Sequence, residues 1–94
     1  MKLISNKALR EFAERHPAAT KPLQDFRMII EKAAFANYAQ LRATFPTADK
    51  VGELHVFNIG GNKFRLIAWI HFESQRFFVK AVLTHSEYDK GAWK

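Results

Sequence analysis

Two periodicities divide the chain. Up to about residue 45 the apolar positions recur at helical spacing, and from Leu54 onward they alternate. Residues 2–4 (KLI) read as a short initial strand. Ala8, Leu9, Phe12 and Ala13 then form one helical stripe behind a cap at Ser5 or Asn6. His16-Pro17 closes that helix, because the residue before proline is driven out of the α region. A second helix is expected from Thr20, with Pro22 tolerated in its first turn and Leu23, Phe26, Ile30 and Ala33 as its buried stripe. Asn37 can start a short third helix that Phe45-Pro46 stops. LHVFNI, KFRLIAWIHF and FFVKAVLT follow as β-rich runs, separated by GGN and ESQR. Loops this short imply an antiparallel meander, and a closing helical turn is expected from Thr84. The fold class is therefore α+β: two or three N-terminal helices packed on one face of a small antiparallel sheet.

A four-residue ESQR loop would pair Phe72 with Phe77, setting Trp69 opposite Lys80 and Arg65 opposite Thr84. Phe64, Leu66, Ala68, Ile70 and Phe72 would then share an apolar face with Phe77, Val79, Ala81 and Leu83, and helices should cover it. The opposite face would carry Lys63, Arg65, Trp69, His71 and Lys80, a mixture of cations and an aromatic that suits RNA. Lys80, which interrupts FFV-K-AVL, is expected in the company of Arg65, where an anion such as a phosphate would relieve their repulsion. The strand LHVFNI has no register readable from sequence, so the faces of His55 and Asn58 stay open. GGN suits a tight hairpin turn, and only weakly an anion-binding nest.

Composition narrows the function. The 94 residues suffice for a single domain spanning 1–94, and 48% hydrophobic content marks a folded chain. Without cysteine there are no disulfides or thiolate metal sites. The N-terminal MKLISNKALREF lacks the apolar segment of a secretory signal, and no apolar run is long enough to span a bilayer. A soluble, cytoplasmic protein without membrane association is expected. Fifteen Lys and Arg against nine acids leave a net charge of +6, which favours anionic partners, nucleic acid foremost. The four histidines show no metal spacing, His71-Phe72-Glu73 lacks the cysteines of a zinc deaminase, and no phosphate loop, nucleophile elbow or dinucleotide fingerprint occurs. No metal or cofactor is expected.

The stretch LTHSEYDK concentrates the remaining chemistry. Thr84 and Glu87 have the spacing of a capping box, which leaves His85 and Tyr88 uncommitted.

The run FPTADKVGELHVFNIGGNKFRLIAWIHFESQRFFVKAVLTHSEYDK resembles the HigB toxins of bacterial type II toxin–antitoxin systems, within the RelE-like superfamily of mRNA interferases. VFNIGGNKFRL followed by LTHSEYD carries most of the likeness, and KLISNKAL and the helical first half extend it over nearly the whole chain. The resemblance implies a RelE-like α+β toxin that cleaves mRNA, typically in the A site of a translating ribosome. It also implies neutralisation by a HigA-type antitoxin with a helix-turn-helix. Arg65 matches the arginine of the family's GNxxRL segment, His85 and Tyr88 match its THxEYD segment, and Lys80 stands where such toxins place a base on the last long strand. Catalysis is accordingly expected from His85, Tyr88, Lys80 and Arg65, and RNA contact from Asn62, Lys63, Trp69 and His71. Histidine titrates near neutrality, which suits His85 to general acid or base work. Asp89 either orients His85 or caps the final turn. The rival expectations are a basic module that holds RNA or ribosome without cutting, and a protein-interaction domain for an acidic partner.

Overall fold

Prolines and short polar caps end and start the helices close to where the apolar spacing puts them. The computed structural model describes residues 1–91 and Trp93. Its elements are β1 (Lys2–Ile4), α1 (Asn6–Arg15), a 3-10 turn (Pro17–Ala19), α2 (Thr20–Lys32), α3 (Tyr38–Thr44), β2 (Asp49–Val51), β3 (Leu54–Ile59), β4 (Phe64–His71), β5 (Arg76–Thr84) and α4 (His85–Asp89). Asn37 caps α3, its side chain accepting from Gln40 N at 3.0 Å. Thr20 is the first residue of α2 rather than its cap, a place taken by Ala19 as the 3-10 turn runs directly into the helix. Ala33 ends α2 as its C-cap in an extended conformation, half-buried and packed against the core rather than fully buried in the helical stripe.

The five strands lie in the order β1-β5-β4-β3-β2, antiparallel except that β1 runs parallel to β5. The three-residue β2 precedes the expected start of the sheet and returns to β3 through Gly52, whose φ of 62° suits glycine. Leu9, Phe12, Leu23, Phe26, Ile30 and Leu41 from the helices meet Phe57, Leu66, Ile70, Phe77 and Val82 of the sheet in one core. Phe26 is its hub, with ring centroids 5.1 Å from Phe57, 5.2 Å from Phe45 and 5.7 Å from Phe77. Truncating a ring so placed typically costs about 3–5 kcal/mol.

The β4–β5 hairpin departs from the expected register in two steps. Its loop is Phe72–Gln75 rather than ESQR, so His71 pairs with Arg76 and Trp69 with Phe78. Gln75 closes that loop at a φ of 58°, its amide donating to Phe72 O and Phe35 O at 2.7 Å each. A bulge then intervenes: Ala68 pairs with Val79 but Ile67 with Ala81, so Lys80 is the extra residue. Past it the faces exchange. Val82 joins the core, whereas Ala81 and Leu83 turn to the uncovered face, opposite Ile67 and Arg65. Arg65 thus faces Leu83 and not Thr84, and Trp69 faces Phe78 and not Lys80. The apolar residues on both sides of Lys80 make either register acceptable to the core.

Candidate functional site

The capping box sets α4 against the end of β5. Thr84 Oγ1 accepts from Glu87 N at 3.1 Å, and Glu87 Oε1 accepts from Thr84 N at 2.9 Å. The hydrogen bond from the Thr84 backbone is the main cause holding the Glu87 carboxyl below its ordinary range. His85 N then donates to Lys63 O at 3.0 Å, stitching the first turn of α4 to the β3–β4 hairpin. With Glu87 occupied, His85 and Tyr88 stand three residues apart on one side of the helix.

Against the Tyr88 ring lies Arg65. Gly60 and Gly61 take positive φ values of 63° and 70° in the hairpin turn, which brings Asn62 back over β4. Arg65 Nη1 donates to Asn62 O at 3.3 Å and Phe64 O at 3.0 Å, and Nη2 donates to Asn62 Oδ1 at 2.6 Å. These three bonds leave the Nε edge of the guanidinium uncommitted, out of five N–H groups in all. The guanidinium carbon sits 5.5 Å from the centroid of the Tyr88 ring, a cation–π contact. Arg65 is only 7% exposed, yet no carboxylate among the described residues lies within ion-pair distance of it. Buried arginines ordinarily have such a partner.

Tyr88 is held from a second direction by Trp93. The two rings stack at 5.1 Å with 14° between their planes, and Trp93 Nε1 donates to Tyr88 O at 3.0 Å. His85 is exposed, its Nε2 at 3.7 Å from Asp89 Oδ2, an ion pair when the imidazole is protonated. Asp89 is therefore placed to bias the His85 ring, one turn away on the same helix.

The remaining candidates separate. Asn62 grips Arg65, Lys63 is exposed beside the hairpin, and Asn58 is exposed opposite Arg65 on β3. Lys80 is exposed in the bulge, three residues along β5 from the partner of Arg65, so the expected pairing of two adjacent exposed cations is replaced by one buried and one exposed. Trp69 and His71 occupy the far end of the uncovered face, about 13 Å and about 20 Å along β4 from Arg65 at ~3.3 Å per residue. His71 Nδ1 accepts from Ser74 N at 3.1 Å and lies 2.6 Å from Ser74 Oγ. His55, the other residue whose face stayed open, pairs with Ala68 on the covered face, 3% exposed between Tyr38 and Phe72, with no hydrogen-bond partner among the described residues on either ring nitrogen. Burial, helped by the Lys50 charge, holds its imidazole below the ordinary histidine range.

Trp93 and Phe78 belong to these clusters but carried no sequence signal. Trp93 falls outside every periodic run, and Phe78 comes opposite Trp69 only through the loop register.

The family described as HigB toxin, RelE-like toxic component of a toxin-antitoxin system, matches residues 19–91. The chain is 40% identical over 92 residues to the mRNA interferase toxin HigB of Escherichia coli (strain K12), an alignment covering 95% of this chain and 88% of that protein. It is equally similar, 40% over 92 residues with the same coverage, to the mRNA interferase HigB of Shigella flexneri. With the mRNA interferase HigB of Escherichia coli O6:H1 it shares 34% identity over 93 residues, 96% of this chain and 90% of the other. Matches of this extent, on a fold whose α4 carries the THSEYD segment, place the chain in the HigB family of RelE-like toxins, the toxic components of toxin–antitoxin systems.

Proposed function

We propose that this protein is an mRNA interferase, an endoribonuclease that works in the cytoplasm on mRNA held by the translating ribosome. The observation that carries this reading is Arg65: a buried cation beside Tyr88 that, among the described residues, has no carboxylate partner and keeps its Nε edge uncommitted. An anion completes such a site, and the phosphodiester is the anion that the relatives' activity supplies.

The reaction is a transesterification that needs no metal. The ribose 2′-oxygen attacks the adjacent phosphorus, its proton passing to a base, while the bond from phosphorus to O5′ breaks and O5′ takes a proton from an acid. The products are a 2′,3′-cyclic phosphate and a 5′-hydroxyl. His85 serves as one of the two proton-transfer groups and Tyr88 as the other, with Asp89, 3.7 Å from His85 Nε2, orienting the ring. Lys80 and Arg65 offset the extra charge of the phosphorane. Arg65 also holds the Tyr88 ring in place, and Asn62 and Lys63 meet the RNA at the hairpin. So thin a proton-transfer set gains from a substrate already bent for in-line attack, and pre-positioning supplies ~7–11 kcal/mol in favourable cases. The ribosomal A site provides that bend. The antitoxin is a HigA-type helix-turn-helix protein, drawn to a toxin of net charge +6.

Three measurements test the reading. Transcript ends mapped after brief induction should show new internal 5′-hydroxyl ends in coding regions, whereas stalled translation on intact messages would make the protein a binder. Equal cleavage of naked and ribosome-bound mRNA at physiological salt would remove the ribosome from the account. Co-expression with the product of the adjacent gene should yield a stable complex, and a toxin recovered alone would argue against that partner.

A further inference from the structure

The uncovered face has a second centre away from α4. Trp69 packs on Phe78 with centroids 5.2 Å apart and on His71 at 5.7 Å, the planes inclined by 42° and 31°. Trp69 is 39% exposed, His71 is exposed and Phe78 is half-buried. The Ser74 contacts to Nδ1 fix the His71 ring, so the ledge is set before anything binds. Arg76, opposite His71, and Lys2, its neighbour on β1, border the ledge. On β1, β4 and β5 the strand positions of this face carry no carboxylate. Nothing in the cleavage chemistry uses this ledge.

We infer that the Trp69–His71–Phe78 ledge is a second RNA subsite, on which an unpaired base of the substrate strand stacks while Arg76 and Lys2 meet its phosphates. The inference rests on the ribonuclease reading and extends it. Aromatic rings bordered by cations are what single-stranded nucleic acid requires, because every base offers a π-face whatever its identity. The ledge lies on the same sheet face as Arg65, about 13 Å along β4, so it is too far for the nucleotide being cut and within reach of a neighbour in the same strand. It contributes binding without chemistry, and its removal should raise KM and leave kcat in place.

The test separates this subsite from the nuclease reading by removing cleavage first. In a His85→Ala, Trp93→Phe protein, Trp69 is the sole tryptophan of the two in the chain. Titration with a short oligoadenylate should quench its emission to saturation. Replacing Trp69 by Leu in the His85→Ala protein, which keeps an apolar neighbour for Phe78, should weaken oligoadenylate binding about five- to a hundred-fold, the worth of one stacked base. Phe78→Leu should do the same to a smaller degree. On programmed ribosomes Trp69→Leu alone should raise KM by a similar factor with kcat within two-fold or so. Unquenched Trp69 emission with unchanged oligoadenylate affinity overturns the subsite. So does a Trp69→Leu protein that keeps its RNA affinity but no longer retains the antitoxin, since the ledge then belongs to a protein partner. Loss of kcat with KM unchanged overturns it as well. Cleavage that survives His85→Ala speaks against the catalytic assignment instead and leaves the stacking result standing.

Discussion

Among the described residues the sheet buries one polar side chain on its helix-covered face, His55, and one on its open face, Arg65. The two are treated in opposite ways. His55 sits between aromatic neighbours with both ring nitrogens unpartnered, and its charged form is disfavoured. Arg65 keeps its charge, and three hydrogen bonds and an aromatic ring hold it in one orientation. The first arrangement is a liability carried by the core. In the second, binding capacity is left over after the fold has been satisfied. Burial of a polar group therefore points to function here only where the group is both held and unfinished.

The largest effect expected from that contrast is on catalysis. His85→Ala should lower ribosome-dependent cleavage about 10²–10⁴-fold and relieve growth arrest with an unchanged melting temperature. Tyr88→Phe keeps the ring against Arg65 and removes only the hydroxyl, so it tests proton transfer apart from packing. Wild-type cleavage by both folded variants would sink the assignment.

Next comes the grip on Arg65. Asn62→Ala removes the acceptor of Nη2 and should cost about 1–3 kcal/mol in denaturant unfolding. Asn62→Asp is the sharper probe, since it supplies the missing carboxylate. Stability should be kept or raised while cleavage falls, because the new anion competes with the phosphate. Parallel movement of the two quantities would mean that Arg65 is structural only.

The pH dependence of stability should belong to the other histidine. An imidazole kept neutral in the fold and free to protonate in the unfolded chain makes unfolding take up a proton. Its contribution is complete above about pH 6.5 and is lost as the pH falls below that value. His55→Leu should flatten the fall in unfolding free energy as the pH drops below 6.5. A slope identical to that of the parent protein would transfer the effect to other groups.

The smallest effect concerns the cap that aims His85. Thr84→Ala should cost about 1 kcal/mol, seen as early loss of amide protection in α4, and Thr84→Ser should restore it. Unchanged exchange at residues 85–89 would show that the His85 bond to Lys63 O carries α4 alone.

The sequence was legible where one residue type has one physical role. Asn37 caps α3, Thr84 and Glu87 make the capping box, and prolines end α1 and α3. The alternation of β4 placed Phe64, Leu66, Ala68 and Ile70 in the core correctly. It failed on β5 because Ala81, Val82 and Leu83 are all apolar, so a bulge at Lys80 changes faces without changing the pattern. Strand β2 was missed for a different reason: Asp49-Lys50-Val51 has no periodicity, and only pairing to β3 makes it a strand. The burial of Arg65 could not be read locally. It depends on Asn62 in the turn and Tyr88 in α4, which meet only when the hairpin and the helix are both in place.

The parallel pairing of β1 has a consequence for how the molecule assembles. Strands β2 to β5 join neighbours through short turns, but Lys2 meets Arg76 and Ile4 meets Phe78 across almost the whole chain. The Met1 ammonium, which donates to Ile30 O at 3.0 Å and to Ala33 O, ties the same segment to the end of α2. Loop closure over that separation is slow relative to hairpin formation. The meander is therefore expected to form before β1 docks. During synthesis its partner is made late, after the helices and most of the sheet. A newly made toxin passes through an interval with its sheet edge open at Arg76–Phe78, and a binder that fills that edge would hold it short of its finished form.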